Sequence, residues 1–202
     1  PISLLAAPLY KENVDYTLVN SASSTVPSNN KKIQVIEFFN YGCPACNRFE
    51  PYLEKWLAKN KDKVDFKRVP VVFESGWQNL AKIYYLAQNL GIEKNLSPKI
   101  FNAIHQKGQN LTNLETLKAF LSSQGISPEK FNNTFNSPSL NLELNLGEKA
   151  MRDYHVFEIP TIIIAGKYKT SAGLTQGNDQ KLIEIVGYLV NKTSQMTNNK
   201  AA

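Results

Sequence analysis

Ile33 to Phe39 is a run of apolar, β-branched and aromatic residues interrupted only by Gln34 and Glu37. It stops at Asn40-Tyr41-Gly42 and passes at once into Cys43-Pro44-Ala45-Cys46. Such a run predicts a buried strand. From Cys43 the period changes. Cys46, Phe49, Leu53 and Trp56 or Leu57 recur at helical spacing, with Arg48, Glu50, Glu54, Lys55 and Lys59 on the other side. A further strand is expected over about Val64 to Phe73, which gives a strand–helix–strand start. Both cysteines of the chain lie where its first strand gives way to its first helix.

The rest of the chain is punctuated by turn and cap signals. Residues 75–154 read as almost wholly helical. Gly91 and Gly125 stand where helices should close, and Thr112 and Glu115 have capping-box spacing. Ser97-Pro98, Ser127-Pro128 and Ser137-Pro138 each suggest a serine N-cap followed by proline in the first helical position. Strand patterning returns in a hairpin, Thr161–Ile164 and Tyr168–Thr170 around Ala165-Gly166-Lys167, and a last helix is expected over about Asp179–Val190. The predicted architecture is α/β: a strand–helix–strand start and a strand–strand–helix finish around an inserted all-helical domain. The expected divisions are an N-terminal arm at 1–30, a discontinuous α/β domain at 31–74 and 156–190, a helical insertion at 75–155, and a disordered tail at 191–202.

Charge excludes one class of partner. The net charge is +6, but Lys55, Lys59, Lys61, Lys63 and Lys67 are spaced singly and no dense basic cluster with interleaved aromatics occurs, so nucleic acid is not an expected ligand. No apolar run is long enough to span a bilayer. The start, Pro1-Ile2-Ser3, lacks the basic region of a signal peptide and fits a mature N-terminus from which the leader has been removed, or a boundary set by other means.

Several uses of the cysteine pair compete. A structural zinc site needs four ligands, and only His105 and His155, fifty residues apart, could add to the pair, so no metal is expected. A cysteine-nucleophile hydrolase with His155 as base leaves the second cysteine without a purpose. An inert disulfide closing so small a loop constrains little. Redox chemistry explains the placement. A cysteine at a helix N-terminus meets unpaired N–H groups and the positive end of the helix dipole, which favour thiolate, the species that attacks and leaves in disulfide exchange. Pro44 suits the first turn because it needs no N–H partner. Cys43 is then the more exposed, attacking sulfur and Cys46 the inner one that resolves the mixed disulfide.

With "VIEFFNYGCPAC" leading into a helix, "VVFESGW" entering the helical block and "EIPT" entering the hairpin, residues 30–190 resemble the DsbA-type thiol:disulfide oxidoreductases of the thioredoxin superfamily. The resemblance implies a thioredoxin-like fold with the helical block inserted. It implies Cys43 as nucleophile and Cys46 as resolving cysteine, with Pro160 as a cis-proline facing them. The Ile159 backbone would pair with an extended substrate, and Glu37 would be a buried acid relaying a proton for Cys46; an exposed strand residue is the alternative for Glu37. Pro44 and Ala45 form the dipeptide that tunes the redox pair. Strongly oxidising relatives carry histidine where this chain has Ala45, which predicts a less oxidising protein. No cofactor is implied beyond the Cys43–Cys46 disulfide. The implied partners are reduced, unfolded secreted proteins and a DsbB-like membrane reoxidant, for a monomer in a bacterial periplasm. A reductase or isomerase of the same fold, or a chaperone-like binding module, are the alternatives. Trp77, Tyr84, Tyr85 and Phe101 suggest either a groove for unfolded chains or, more simply, helix packing.

Overall fold

The computed structural model describes residues 9–19 and 32–201. Its elements run β1 (Thr17–Leu18), β2 (Ile33–Phe39), α1 (Pro44–Asn60), β3 (Val64–Pro70), α2 (Trp77–Asn89), α3 (Glu93–His105), α4 (Leu114–Ser123), α5 (Pro128–Phe135), α6 (Pro138–Asp153), β4 (Thr161–Ile164), β5 (Tyr168–Ser171) and α7 (Asp179–Ala201). The strands form a sheet in the order β1-β5-β4-β2-β3. β4 and β5 are antiparallel with Ile164 opposite Tyr168, and β1 is antiparallel to β5 with Thr17 opposite Lys169. This is the α/β thioredoxin-like architecture with inserted helices.

Packing divides the described chain into two units: 9–19, 32–37, 51–67 and 161–201 in the first, and 38–50 with 68–160 in the second. The end of β2 and the first turns of α1, cysteines included, therefore group with the helices of the second unit.

In the first unit α7 lies against β4 and β5. Ile162, Ile163 and Ile164 are buried, as are Leu182, Ile185, Val186 and Leu189, which recur at helical spacing. Two expectations change here. The arm contains a strand, β1, too short to show a period. Its neighbours fasten it: Tyr16 is buried, and Asp15 pairs with Lys181 at 2.7 Å. Residues 1–8 and 20–30 of the expected arm lie outside the described residues. The last helix does not stop at Val190. Beyond its apolar stripe, Lys192 donates to the Tyr16 hydroxyl at 2.9 Å and lies over the rings of Tyr16, Tyr168 and Tyr188. The Thr193 and Thr197 hydroxyls bond back to carbonyls one turn earlier.

The second unit buries α2 against α3, α5 and α6. Phe39, Tyr41, Tyr84 and Phe101 meet at ring separations of 5.0–6.4 Å. Tyr84, Tyr85 and Phe101 are thus core residues, not a groove, whereas Trp77 stays partly exposed. Ser127 and Ser137 cap α5 and α6, with Pro128 and Pro138 following. The other cap signals shift. Asn113, not Thr112, caps α4 by accepting from the Glu115 and Thr116 N–H groups; the Thr112 hydroxyl turns to Asn110 instead. Ser97-Pro98 lies inside α3, which begins at Glu93, because the Ser97 hydroxyl has stronger buried partners in Glu93 and Tyr41 than a helix N–H would offer.

Candidate active site

β2 ends in a β-turn. The Cys43 N–H donates to the Asn40 carbonyl at 3.1 Å, which places Tyr41 and Gly42 at the centre of the turn. Asn40 is fully buried. Its Oδ1 accepts from the Gly42 N–H at 2.9 Å, and its Nδ2 donates to the Val71 carbonyl at 2.8 Å. Gly42 is needed for space. A Cβ there would lie 3.0 Å from both Trp77 Nε1 and Leu80 Cδ1.

The turn delivers Cys43 as the N-cap of α1. Its carbonyl accepts the first helical bond, from Asn47 at 3.1 Å, and Pro44 follows in the first helical position. Its Sγ accepts from the Cys46 N–H at 3.4 Å, the bond a serine or aspartate makes at this position. Both cysteines are buried, against the expectation of an exposed attacking sulfur, but unequally: Cys43 retains 6% of its surface and Cys46 1%. Both stand as thiols.

The electrostatics follow from that seat. The Cys43 pKa is lowered from 9.0 to about 7. The largest cause is the hydrogen bond from the Cys46 side chain, followed, among the favourable contributions, by the backbone N–H groups of Cys46 and Ala45 and the charge of Arg48; partial burial opposes them. The donors stabilise thiolate by more than burial disfavours it.

The loop before β4 faces the same sulfur. The Ile159–Pro160 bond is cis, and the Ile159 carbonyl oxygen is 3.8 Å from Cys43 Sγ. The structure therefore brings Cys43, Cys46, Ala45, Ile159 and Pro160 into one unit. Glu37 belongs to the other unit and is fully buried in β2, which discards the exposed-strand alternative. The histidines take other partners: His105 Nε2 lies 2.7 Å from the Tyr41 carbonyl, and the His155 ring stacks on Phe157. Among the described residues no group of three His, Cys, Asp or Glu side chains is placed to hold a metal ion, and no helix is long and apolar enough to cross a membrane.

Sequence reasoning passed over Asn40, Tyr41, Ser97 and His105 as parts of this site. Asn40 did carry a signal. A polar residue that ends an apolar run and is then buried must find partners for its amide.

The chain matches known proteins along most of its length. A family model described as "DSBA-like thioredoxin domain" matches residues 34–181. A thiol:disulfide interchange protein DsbA of Burkholderia cepacia is 42% identical over 144 residues, 71% of this chain and 68% of the relative. A protein of the same name from Pseudomonas aeruginosa is 33% identical over 171 residues, 84% of this chain and 81% of the relative. The crystal structure of Pseudomonas aeruginosa DsbA superposes with a TM-score of 0.83 at 30% identity, covering 94% of this chain and 97% of that one.

Proposed function

The chain belongs to the DSBA-like thioredoxin domain family and is a thiol:disulfide oxidoreductase, and on that premise we propose that it donates the Cys43–Cys46 disulfide to reduced cysteine pairs of folding secreted proteins. The redox centre of the family is a cysteine pair in the protein itself. The observation that carries the chemistry is the seat of Cys43: a sulfur that caps a helix, with its pKa lowered to about 7, leaves readily as a thiolate and stabilises the reduced protein relative to an unconstrained cysteine pair. Thioredoxin's attacking cysteine has a similar value, so the direction of transfer rests on the DsbA relatives.

In this reading a substrate thiolate attacks Cys43 Sγ of the disulfide. The new bond joins substrate and Cys43, the Cys43–Cys46 bond breaks, and Cys46 leaves as a thiolate that takes up a proton. A second substrate thiolate then attacks the substrate sulfur and expels Cys43 as a thiolate. The substrate keeps its new disulfide, and two electrons now reside in the Cys43/Cys46 dithiol. Low basicity makes Cys43 a good leaving group in the second step. The Ile159 backbone, beside Pro160, pairs with an extended substrate segment by β-augmentation, a role supported by the nearness of its carbonyl to Cys43 Sγ. Pro44 and Ala45 set the potential, and Ala45→His, which adds a charge-bearing donor near Cys43, is expected to raise it.

The same reading places the protein in a bacterial periplasm as a monomer, with a DsbB-like membrane partner removing the two electrons. It is supported by the bacterial origin of the relatives. The deciding measurement is the reduction potential, by equilibration with glutathione. DsbA, of this same family, is known to sit near about −120 mV and thioredoxin near about −270 mV. A value toward the first supports donation; a value toward the second makes the protein a reductase. Cys43→Ser should abolish oxidation of a reduced substrate, whereas a chaperone-like binding module would keep its clients.

A further inference from the structure

The turn that carries Cys43 is gripped from α3 at two points that no motif marks. The Tyr41 carbonyl lies 2.7 Å from His105 Nε2, and the Tyr41 ring hydroxyl meets Ser97 Oγ. Proton counting fixes the direction of the second contact. Ser97 has one O–H, and it donates to Glu93 Oε1 at 2.8 Å. A carboxylate only accepts, so Tyr41 is the donor to Ser97. The run continues inward. Arg68 Nη1 lies 3.2 Å from Glu93 Oε1, and its Nη2 is 2.8 Å from both oxygens of Glu50. Glu50 is on α1, the helix that Cys43 caps. One line of polar groups therefore starts in the turn before the nucleophile and ends on the helix after it.

Burial gives these bonds weight. Tyr41 is 0% exposed, Ser97 1% and Arg68 7%, so water cannot stand in for a lost partner. The ring of Tyr41 is further fixed edge-on between Phe39 and Phe101. Tyr41 is the first central residue of the Asn40–Cys43 turn, and any rotation of it moves Gly42 and the cap.

We propose that Ser97 and His105 are positioning residues for the nucleophile: by clamping Tyr41 from α3 they hold the turn that seats Cys43 as the cap of α1. The proposal rests on the reading of Cys43 as the attacking sulfur. Neither residue touches the reacting atoms, so the effect must show in the state of Cys43 itself.

The test is the pH dependence of Cys43 alkylation by iodoacetamide in the full-length reduced protein, with the modified cysteine identified by mass spectrometry. Ser97→Ala and Tyr41→Phe should each raise the midpoint by about half a unit, read as about threefold slower alkylation at pH 6. Combined, they should do no more than Ser97→Ala alone, because that change already removes the Tyr41–Ser97 bond that Tyr41→Phe removes. Ser97→Thr keeps the hydroxyl and should keep the midpoint. His105→Leu should raise it, and His105→Gln, which retains an N–H donor, should restore it. Lower melting temperatures with an unmoved midpoint would overturn the proposal and leave the contacts as core packing; additive shifts from Ser97→Ala and Tyr41→Phe would overturn it too. Should Ser97→Ala fail to fold, Tyr41→Phe, which preserves the ring, decides. If the unaltered protein itself titrates at the ordinary thiol value of about 8.5, the reading of Cys43 fails instead, and the two failures are distinct.

Discussion

Two turns in this molecule are built on opposite plans. The hairpin turn from Ile164 to Lys167 takes its shape from its own backbone: Ala165 and Gly166 have φ of 53° and 62°, and the Lys167 N–H donates to the Ile164 carbonyl at 3.0 Å, while only main-chain bonds, Ala165 N–H to the Gln34 carbonyl and Val19 N–H to the Lys167 carbonyl, both at 2.8 Å, tie it to neighbouring strands. The turn from Asn40 to Cys43 is held from far along the chain, by Val71, Ser97 and His105. Glycine serves each differently. Gly166 supplies a left-handed backbone, and Gly42 supplies room beneath Trp77 and Leu80. The shape of the hairpin turn is written in its own residues. The turn that carries Cys43 is also held by buried side-chain partners that its local sequence does not contain.

The difference can be broken most severely at Asn40. Asn40→Ala leaves the Gly42 N–H and the Val71 carbonyl without their buried partner. It should cost about 3 kcal/mol of stability, seen as a lower urea midpoint, and should raise the Cys43 titration. The next effect comes from pH. Cys43 is depressed in the folded dithiol from 9.0 to about 7. The unfolded chain therefore holds this proton at pH values where the folded chain has released it. The stabilisation is full above pH ~9 and is lost as pH falls through ~7, and it amounts to about 2 to 3 kcal/mol across that window. Urea denaturation of the reduced protein from pH 6 to 9 should show this rise, and Cys43→Ser should lack it. The smallest effect sharpens the contrast from the other side. Ala165→Gly relieves a left-handed alanine and should stabilise by about 0.5 to 1 kcal/mol in the same assay, with the reduction potential unmoved. A shift in potential from that substitution would mean the two turns are not independent.

The same contrast explains what could be read from the sequence. β2, the first turn of α1 and the hairpin were legible because their signals are local: an apolar run, a change of period, a glycine between two short strands. The pairing of Cys43 with the cap of α1 followed from the same junction. Thr17–Leu18 was not legible, because two residues carry no period and their partner in β5 lies 150 residues on. Ser97-Pro98 carries the local mark of a helix start, yet tertiary partners outbid it. The tail beyond Val190 lost its apolar stripe, while what engages Lys192 is a set of tyrosines gathered from Tyr16, Tyr168 and Tyr188. The site divides likewise. Cys43 and Cys46 stand out by type and spacing, and Ile159 and Pro160 only through the family resemblance, whereas Asn40, Tyr41, Ser97 and His105 join them only through contacts the fold creates.

On the reading of Cys43 as the attacking sulfur, the cap of α1 ties two equilibria into one closed cycle. Folding and oxidation share four corners: folded dithiol, folded disulfide, and the two unfolded counterparts. The extent to which the dithiol outlasts the disulfide on unfolding must equal the extent to which the folded chain is a stronger oxidant than the same cysteines in a loose peptide. A pair of denaturation curves, one for each oxidation state, thus yields the oxidising power that folding confers, with no substrate and no redox partner in the tube.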